Sequence, residues 1–389
     1  MILIQRGGKS LFPISCTMWQ NRRSTGIDQE MRLDDVKSTT DRFQMILAPI
    51  IGGKPESPWM ITTEKALRAM QKVLRPSEYR AYAGVYTALN SVYWVDIVSD
   101  QPSDVVIQNL SHIGKKKVKQ SKRVVEPDLI YPLIQGRNVK KWYASPEKYR
   151  IIVPHNPKKG DPLDERTMKV RFSKTYEFLL SFKKDLQGRA IHRLWGKGRP
   201  FYSLYDIGEY TFTPYRVAWK EISGKISGKG LFSVAVIEPW HDRILKEKLI
   251  VPDHKLMFVP CVRRDEAHFL ASVLNSSIAQ LAVASYTIET MMDTHITNHV
   301  YIPKFDAKNE VHRRLSELSQ RAHQITKRYY EQQDSSAHDE LRKIEEEIDK
   351  TCATLYGISH EELDEIKKTL RILAEGQVRE SARAGTLPS

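Results

Sequence analysis

Residues 131–142, YPLIQGRNVKKW, pass from an apolar start through a glycine into Arg137, Asn138, Lys140 and Lys141, and end on the broad ring of Trp142. Donors, cations and an aromatic face at that spacing could hold a polyanion. A guanidinium fork can take a guanine edge with two hydrogen bonds, while ammonium groups suit phosphate oxygens. A second candidate is the run Lys115, Lys116 and Lys117. A third is AGVYTALNSVYWV at 83–95, where Thr87 and Asn90 punctuate a strand-like segment. An asparagine at a loop tip can read adenine, or it can simply make a turn.

The stretch 192–220, HRLWGKGRPFYSLYDIGEYTFTPYRVAWK, interleaves Trp195, Phe201, Tyr202, Tyr205, Tyr210, Phe212, Tyr215 and Trp219 with Arg193, Lys197, Arg199, Arg216 and Lys220. Strand alternation sends every second side chain inward, so half of these rings belong to a core. The other half could meet a base or sugar while the cations hold phosphates. SGKISGKG at 223–230 reads as a basic loop that adds Lys225 and Lys229.

Catalytic patterns are weaker. That loop has neither the spacing nor the following helix of a nucleotide-binding glycine turn. An adenine methyltransferase needs an Asn-Pro-Pro-aromatic loop, and HNPKKG and ESPW do not provide one. VPDHK at 251–255 lacks the Glu-x-Lys that would complete a magnesium-dependent nuclease motif. His241, His254, His295 and His299 show no metal-ligand spacing, and Cys16, Cys261 and Cys352 lie too far apart for a zinc knuckle or a disulfide framework. The cysteine usage fits a reducing cytoplasm.

The 389 residues carry a net charge of +14, unevenly placed. Residues 101–150 hold 11 Lys and Arg against 4 Asp and Glu, whereas residues 331–375 hold 13 acidic against 6 basic residues. A basic body with an acidic appendage suits a polyanion, because phosphate binding is driven by counterion release; a solvated surface is the plain alternative. No membrane span is expected, since the longest apolar stretch, FLASVLNSSIAQLAVA, is interrupted by Asn275, Ser276, Ser277 and Gln280.

Three zones position these residues. Residues 1–58 have weak periodicity and read as a connecting segment, the remnant of something larger. Residues 59–308 mix helical patterns such as TEKALRAMQKVL and MKVRFSKTYEFLLSFKKDL, stopped by Gly188, with strand-like YRIIVP. In 309–375 the series Val311, Leu315, Leu318, Ala322, Ile325, Tyr329 and the series Leu341, Ile344, Ile348, Cys352, Leu355 each mark one helix face. Gly357 suits a left-handed stop, and Ser359 with Glu362 a capping box for a third helix carrying Leu363, Ile366, Leu370 and Leu373. Residues 376–389 read as a flexible tail. The fold class expected is α+β, a mixed domain followed by a helical bundle.

YRAYAGVYTALNSVYWV, VEPDLIYPLIQGRNVKKW, FYSLYDIGEYTFTPYRVAWK, VPDHKLMFVPC, AHFLASVLNSSIAQ and THITNHVYIPKFD follow one another in an order that resembles the C-terminal portion of adenine-specific DNA methyltransferases. In that family this portion is the TaqI-like specificity domain of restriction-modification enzymes. The closing IEEEIDKTCATLYGISHEELDEI is similar to the helical end of those proteins. The resemblance implies a double-stranded DNA partner and a target-recognition role. It also implies a separate catalytic methyltransferase subunit or domain that binds S-adenosylmethionine, since the cofactor-binding half has no counterpart here and no cofactor is expected on this chain. On the family's pattern, the 126–142 segment leaves the core as a strand, turns at Gly136 over Trp142, and delivers Arg137, Lys140 and Lys141 to DNA. A nuclease with a dispersed site and a general nucleic-acid-binding module remain the alternatives.

Overall fold

The computed structural model describes residues 11–22, 27–114, 116–221, 232–286 and 293–384. The fold is α+β, with long helices at the C-terminal end. Two compact units divide it, one of residues 1–80, 222–233 and 269–389, the other of residues 81–221 and 234–268.

In the first unit, Ile14–Asn21 (β1), Thr40–Pro49 (β2) and Trp59–Thr62 (β3) form an antiparallel sheet in the order β1-β2-β3, with Ile14 opposite Leu47 and Asn21 opposite Thr40. The segment read as a connector therefore contributes two full strands. Three long helices follow much later in the chain, Glu310–Gln332, Ala337–Tyr356 and His360–Ala384. Their apolar series are buried at Leu315, Leu318, Ala322, Ile344, Ile348, Cys352, Leu363 and Ile366, as the 3.6-residue period requires. Gly357 adopts the left-handed conformation (φ 61°), and Ser359 and Glu362 exchange the two hydrogen bonds of a capping box, at 2.7 and 3.2 Å. Tyr329, at the far end of the first series, is exposed.

The two ends of the chain fold together in this unit. Gln20 donates to the Ile372 carbonyl, Thr63 Oγ1 donates to Glu365 at 2.8 Å, and Lys72 Nζ reaches Glu362 and the Gly357 carbonyl, both at 2.8 Å. The sequence-read boundaries at 58 and 308 thus both lie inside the first unit, and the last helix continues past 375 to Ala384. No single helix among the described residues is long and apolar enough to cross a membrane; the apolar pair Arg264–Asn275 and Ser277–Ser285 is bent by 58° and largely buried.

The second unit carries the candidate residues. Its strands are Tyr82–Ala83 (β4), Trp94–Asp100 (β5), Val105–Asn109 (β6), Lys122–Val125 (β7), Ile130–Ile134 (β8), Val139–Lys140 (β9), Tyr143–Ala144 (β10), Arg150–Ile152 (β11), Tyr215–Lys220 (β12), Val234–Ile237 (β13), Trp240–Asp242 (β14), Lys246–Lys248 (β15), Val251–Pro252 (β16) and Leu256–Cys261 (β17). Six make a sheet in the order β16-β8-β11-β5-β6-β7, antiparallel except for the parallel β16–β8 edge, and four make a second sheet, β13-β12-β17-β4. Helices Glu165–Arg171, Ser173–Leu180 and Lys183–Gln187 bury Met168, Phe178, Leu179 and Leu186 in the core of the larger sheet. The single helix read across 168–186 is therefore interrupted near Phe172 and Phe182, whose backbones leave the helical region. A smaller core of Ile134, Val139, Ala218, Ala235, Ile237, Leu256 and Phe258 lies on the second sheet.

His155 joins the first core to the loops above it. It is fully buried, with Nδ1 2.7 Å from the Gly160 carbonyl and Nε2 accepting the Leu204 N–H at 2.9 Å, which requires the neutral ring protonated on Nδ1. Burial pulls its pKa down to about 4. The unfolded chain takes up this proton near pH ~6.5, so stability is complete above that value and declines as the pH falls toward about 4, by on the order of 3 kcal/mol from this group. Urea unfolding at pH 7 and pH 4.5 is expected to show this loss, and a His155→Gln variant, whose amide does not titrate, is expected to show less of it.

Candidate nucleic-acid interface

β8 is buried along its whole length, and where it leaves the core the chain turns through a short 3-10 segment, Gly136–Asn138. The Gln135 N–H donates to Asn138 Oδ1 at 3.0 Å, and the Asn138 N–H to the Gln135 carbonyl at 2.9 Å. Glu147 then binds two members of the turn, accepting from Asn138 Nδ2 at 2.8 Å and Arg137 Nη2 at 2.9 Å. Asn138 is therefore buried and committed to the turn, whereas Arg137 keeps its side chain 57% exposed. The left-handed residue here is Trp142 (φ 61°) and not Gly136. A bulky residue in that region is a genuine outlier, held by the burial of the indole and by its N–H bond to the Val234 carbonyl at 3.1 Å.

Lys140 projects from β9 and is exposed, with Lys141 5.9 Å from the Trp142 ring centre. The end of β12 runs alongside. A methyl group on Gly136 would lie 3.6 Å from Lys220 Cγ and 3.9 Å from the Lys255 carbonyl. Burial, and then the charge of Lys140, hold Lys220 below the usual lysine range. Two ammonium groups that disfavour each other in this way make a place where an anion is welcome. Lys255 is paired with Glu221 at 2.7 Å.

A second group assembles from three stretches far apart in sequence. Thr87 is buried; its hydroxyl donates to Asn90 Oδ1 and accepts the Leu89 N–H at 3.1 Å, with Ala88 between them at φ 54°. The strand expected over 83–95 is thus a two-residue strand, a turn, and a short helix at Asn90–Tyr93. From that helix Ser91 Oγ donates to the Lys116 carbonyl at 2.8 Å, and buried Asn109 binds the Ser91 and Lys119 carbonyls at 2.8 and 3.1 Å. The lysine loop is thereby pinned to the sheet, and Lys116 Nζ pairs with Asp185 at 2.8 Å. Arg189 closes the group. It is buried, and it donates to the Leu186, Thr87 and Phe201 carbonyls at 2.8, 2.7 and 2.8 Å, with its guanidinium 5.5 and 5.7 Å from the Tyr93 and Tyr205 rings.

The helix that follows, Ala190–Trp195, buries none of its residues. Arg193 on it and Lys197 and Arg199 after it are exposed, and among the described residues neither they nor Lys117 lies within ion-pair distance of a carboxylate. Contacts link this group to the Gly136 turn. His192 Nδ1 is 3.0 Å from Tyr205 Oη, Tyr205 bridges to Tyr86 in the backbone, and the Tyr86 ring is 5.1 Å from His254, the neighbour of Lys255. Gly84 makes the approach possible, since a Cβ there would sit 2.2 Å from the Asp253 carbonyl oxygen. Asp206 lies on the same line at φ 48°, with its carboxyl pushed up by burial.

Some residues named from sequence do not reach the surface. Arg216 is fully buried, with Nη1 bonded to the Thr211 carbonyl at 2.7 Å and Nε and Nη2 unpartnered among the described residues; burial lowers its guanidinium to about 9. It faces inward from the middle of a sheet, so it leaves the surface set, as do Thr87 and Asn138. Of the eight rings between 192 and 220, Phe201, Tyr202, Tyr205, Phe212 and Trp219 are buried and only Trp195 is largely exposed. The alternation argument does not apply to most of this stretch, because only Tyr215–Lys220 is a strand. Lys115, Lys225 and Lys229 lie outside the described residues. Arg189 and Glu147, which hold both groups in shape, have no sequence signal that separates them from surface charges. No family model matches the chain, and no curated protein matches it.

Proposed function

We propose that this chain is the DNA target-recognition part of an adenine-specific DNA methyltransferase of a restriction-modification system. Its second unit grips and reads duplex DNA, while S-adenosylmethionine and methyl transfer belong to a separate catalytic partner. The observation that carries the reading is that the segment bearing Lys116 and Lys117 and the segment bearing Arg193, Lys197 and Arg199 are tied to the same 87–93 turn, by Ser91 to the Lys116 carbonyl and by Arg189 to the Thr87 carbonyl, and that His192 and Tyr205 lead from there toward the turn of Arg137, Lys140 and Lys220. Lys117, Arg193, Lys197 and Arg199 have no carboxylate at ion-pair distance among the described residues, and cations left in excess in this way suit a phosphate backbone. The methyltransferase context is supported by the ordered run of sequence segments resembling that family.

Reading and gripping separate at the Gly136 turn. Arg137 is positioned by Glu147 but remains exposed, so its fork can exchange the carboxylate for a guanine edge, a contact worth roughly 1–3 kcal/mol of discrimination. Lys140 is a point charge beside Lys220 and suits phosphate. In a complex with a catalytic methyltransferase partner, Arg137→Ala is expected to relax the methylated site at one base pair, and Lys140→Ala to lower methylation without changing the site. Genome-wide mapping of methylated adenines reads both. An Arg137→Ala complex that modifies the parental motif at reduced yield would confine this turn to backbone contacts.

A further inference from the structure

We infer that Trp195 enters the base stack of the bound duplex, its indole stacking on a nucleobase at an opened step, while Leu194 covers the adjoining sugar edge. This rests on the duplex-binding reading above and adds to it a specific deformation of the DNA.

Leu194 is 74% exposed and Trp195 68% exposed, the two most prominent apolar side chains on a helix that buries nothing. Isolated exposed apolar residues are ordinary. This pair differs in three ways. First, it stands on a rigid base. Arg189 ties the helix start to three carbonyls, a Cβ on Gly196 would lie 2.3 Å from the His192 carbonyl oxygen, and the exit turn is fixed by Gly198 at φ 77° and by the Arg199 N–H bond to the Gly196 carbonyl at 2.9 Å. An apolar probe held this firmly is suited to insertion and poorly suited to folding back.

Second, the charges next to it along the chain are of one sign. Between Asp185 and Asp206 the chain has no acidic residue, and Arg193, Lys197 and Arg199 flank the two side chains with no carboxylate at ion-pair distance among the described residues. Phosphates border every base step, so a wedge between bases needs cations on both sides of it. Third, the patch is small. Two side chains fall far short of the roughly 1,000 Å² that a specific protein interface buries, whereas one or two apolar side chains suffice to open a base step. Successive helical residues diverge by about 100°, so the two cannot enter the same gap. The flat ring is the better stacking partner, which leaves Leu194 against the sugar.

The test uses the full chain and a duplex enriched by it from a randomised library, with 2-aminopurine substituted at each adenine in turn. The parent is expected to raise 2-aminopurine fluorescence at one position, reporting loss of stacking there. Trp195→Ala is expected to abolish that rise and weaken binding about 10- to 100-fold, the stacking contribution of one base. Trp195→Phe should restore most of both, and Lys197→Ala should weaken binding while leaving the fluorescence rise in place. If the parent binds the duplex and Trp195→Ala matches it in affinity and fluorescence, the insertion is wrong and the DNA-binding reading stands. If Trp195→Ala instead loses the methyltransferase partner in a pull-down without DNA, and keeps its affinity for the duplex, the patch is a protein contact and the inference falls. A parent chain that binds no duplex overturns both.

Discussion

Arg189→Met is expected to destabilise the chain by about 3–5 kcal/mol, read as a lower urea midpoint with an unchanged slope. The guanidinium satisfies the Leu186, Thr87 and Phe201 carbonyls at once, and methionine leaves all three without that donor in a buried place. Hydrogen bonds from a charged donor contribute about 1.5–3 kcal/mol each, and a buried orphan carbonyl costs about 1–3 kcal/mol. Relief from burying the cation offsets part of the sum, since no carboxylate pairs with Arg189 among the described residues. Arg189→Lys is expected to recover only part of the loss, because a single ammonium cannot span three diverging acceptors. A loss below about 1 kcal/mol for Arg189→Met would mean that the 87–93 turn and the Ala190–Trp195 helix are held by other contacts.

The C-terminal helices were legible because their information is local. A 3.6-residue period fixes the buried face, and the Gly357 stop and Ser359–Glu362 box are backbone requirements met within four residues. The candidate interface was legible only in pieces. Lys115–Lys117, Thr87 with Asn90, and the Arg193–Arg199 stretch each stood out from composition, but nothing local brings Thr87 to Arg189, 102 residues away, or Lys116 to Asp185. That the N-terminal strands belong with the last helix was equally invisible, because contacts such as Thr63 with Glu365 depend on the whole topology.

Misplaced residues share a cause. Asparagine and threonine give the same signal whether they read a ligand or close a turn, and Asn138 and Thr87 close turns. Arg216 and Lys220 occupy one face of β12 two steps of the alternation apart, yet Arg216 lies within the sheet and Lys220 at its end. Sequence spacing gives the face but not the distance from the edge. The 83–95 segment is rich in strand-forming residues, and the left-handed Ala88 overrides that propensity.

Whether these scattered cations bind duplex DNA together is read from the salt dependence of duplex affinity. If Lys117, Arg193, Lys197, Arg199, Lys140 and Lys220 together neutralise about six phosphates, affinity is expected to fall by about 10³ between 50 and 200 mM salt. Replacing Lys117, Lys197 and Arg199 together by alanine removes about three of those contacts, and the same change in salt is then expected to cost only about 40-fold. A variant whose slope equals the parent's would show that Lys117, Lys197 and Arg199 are ordinary solvated charges, and would contradict the assignment of this group to DNA.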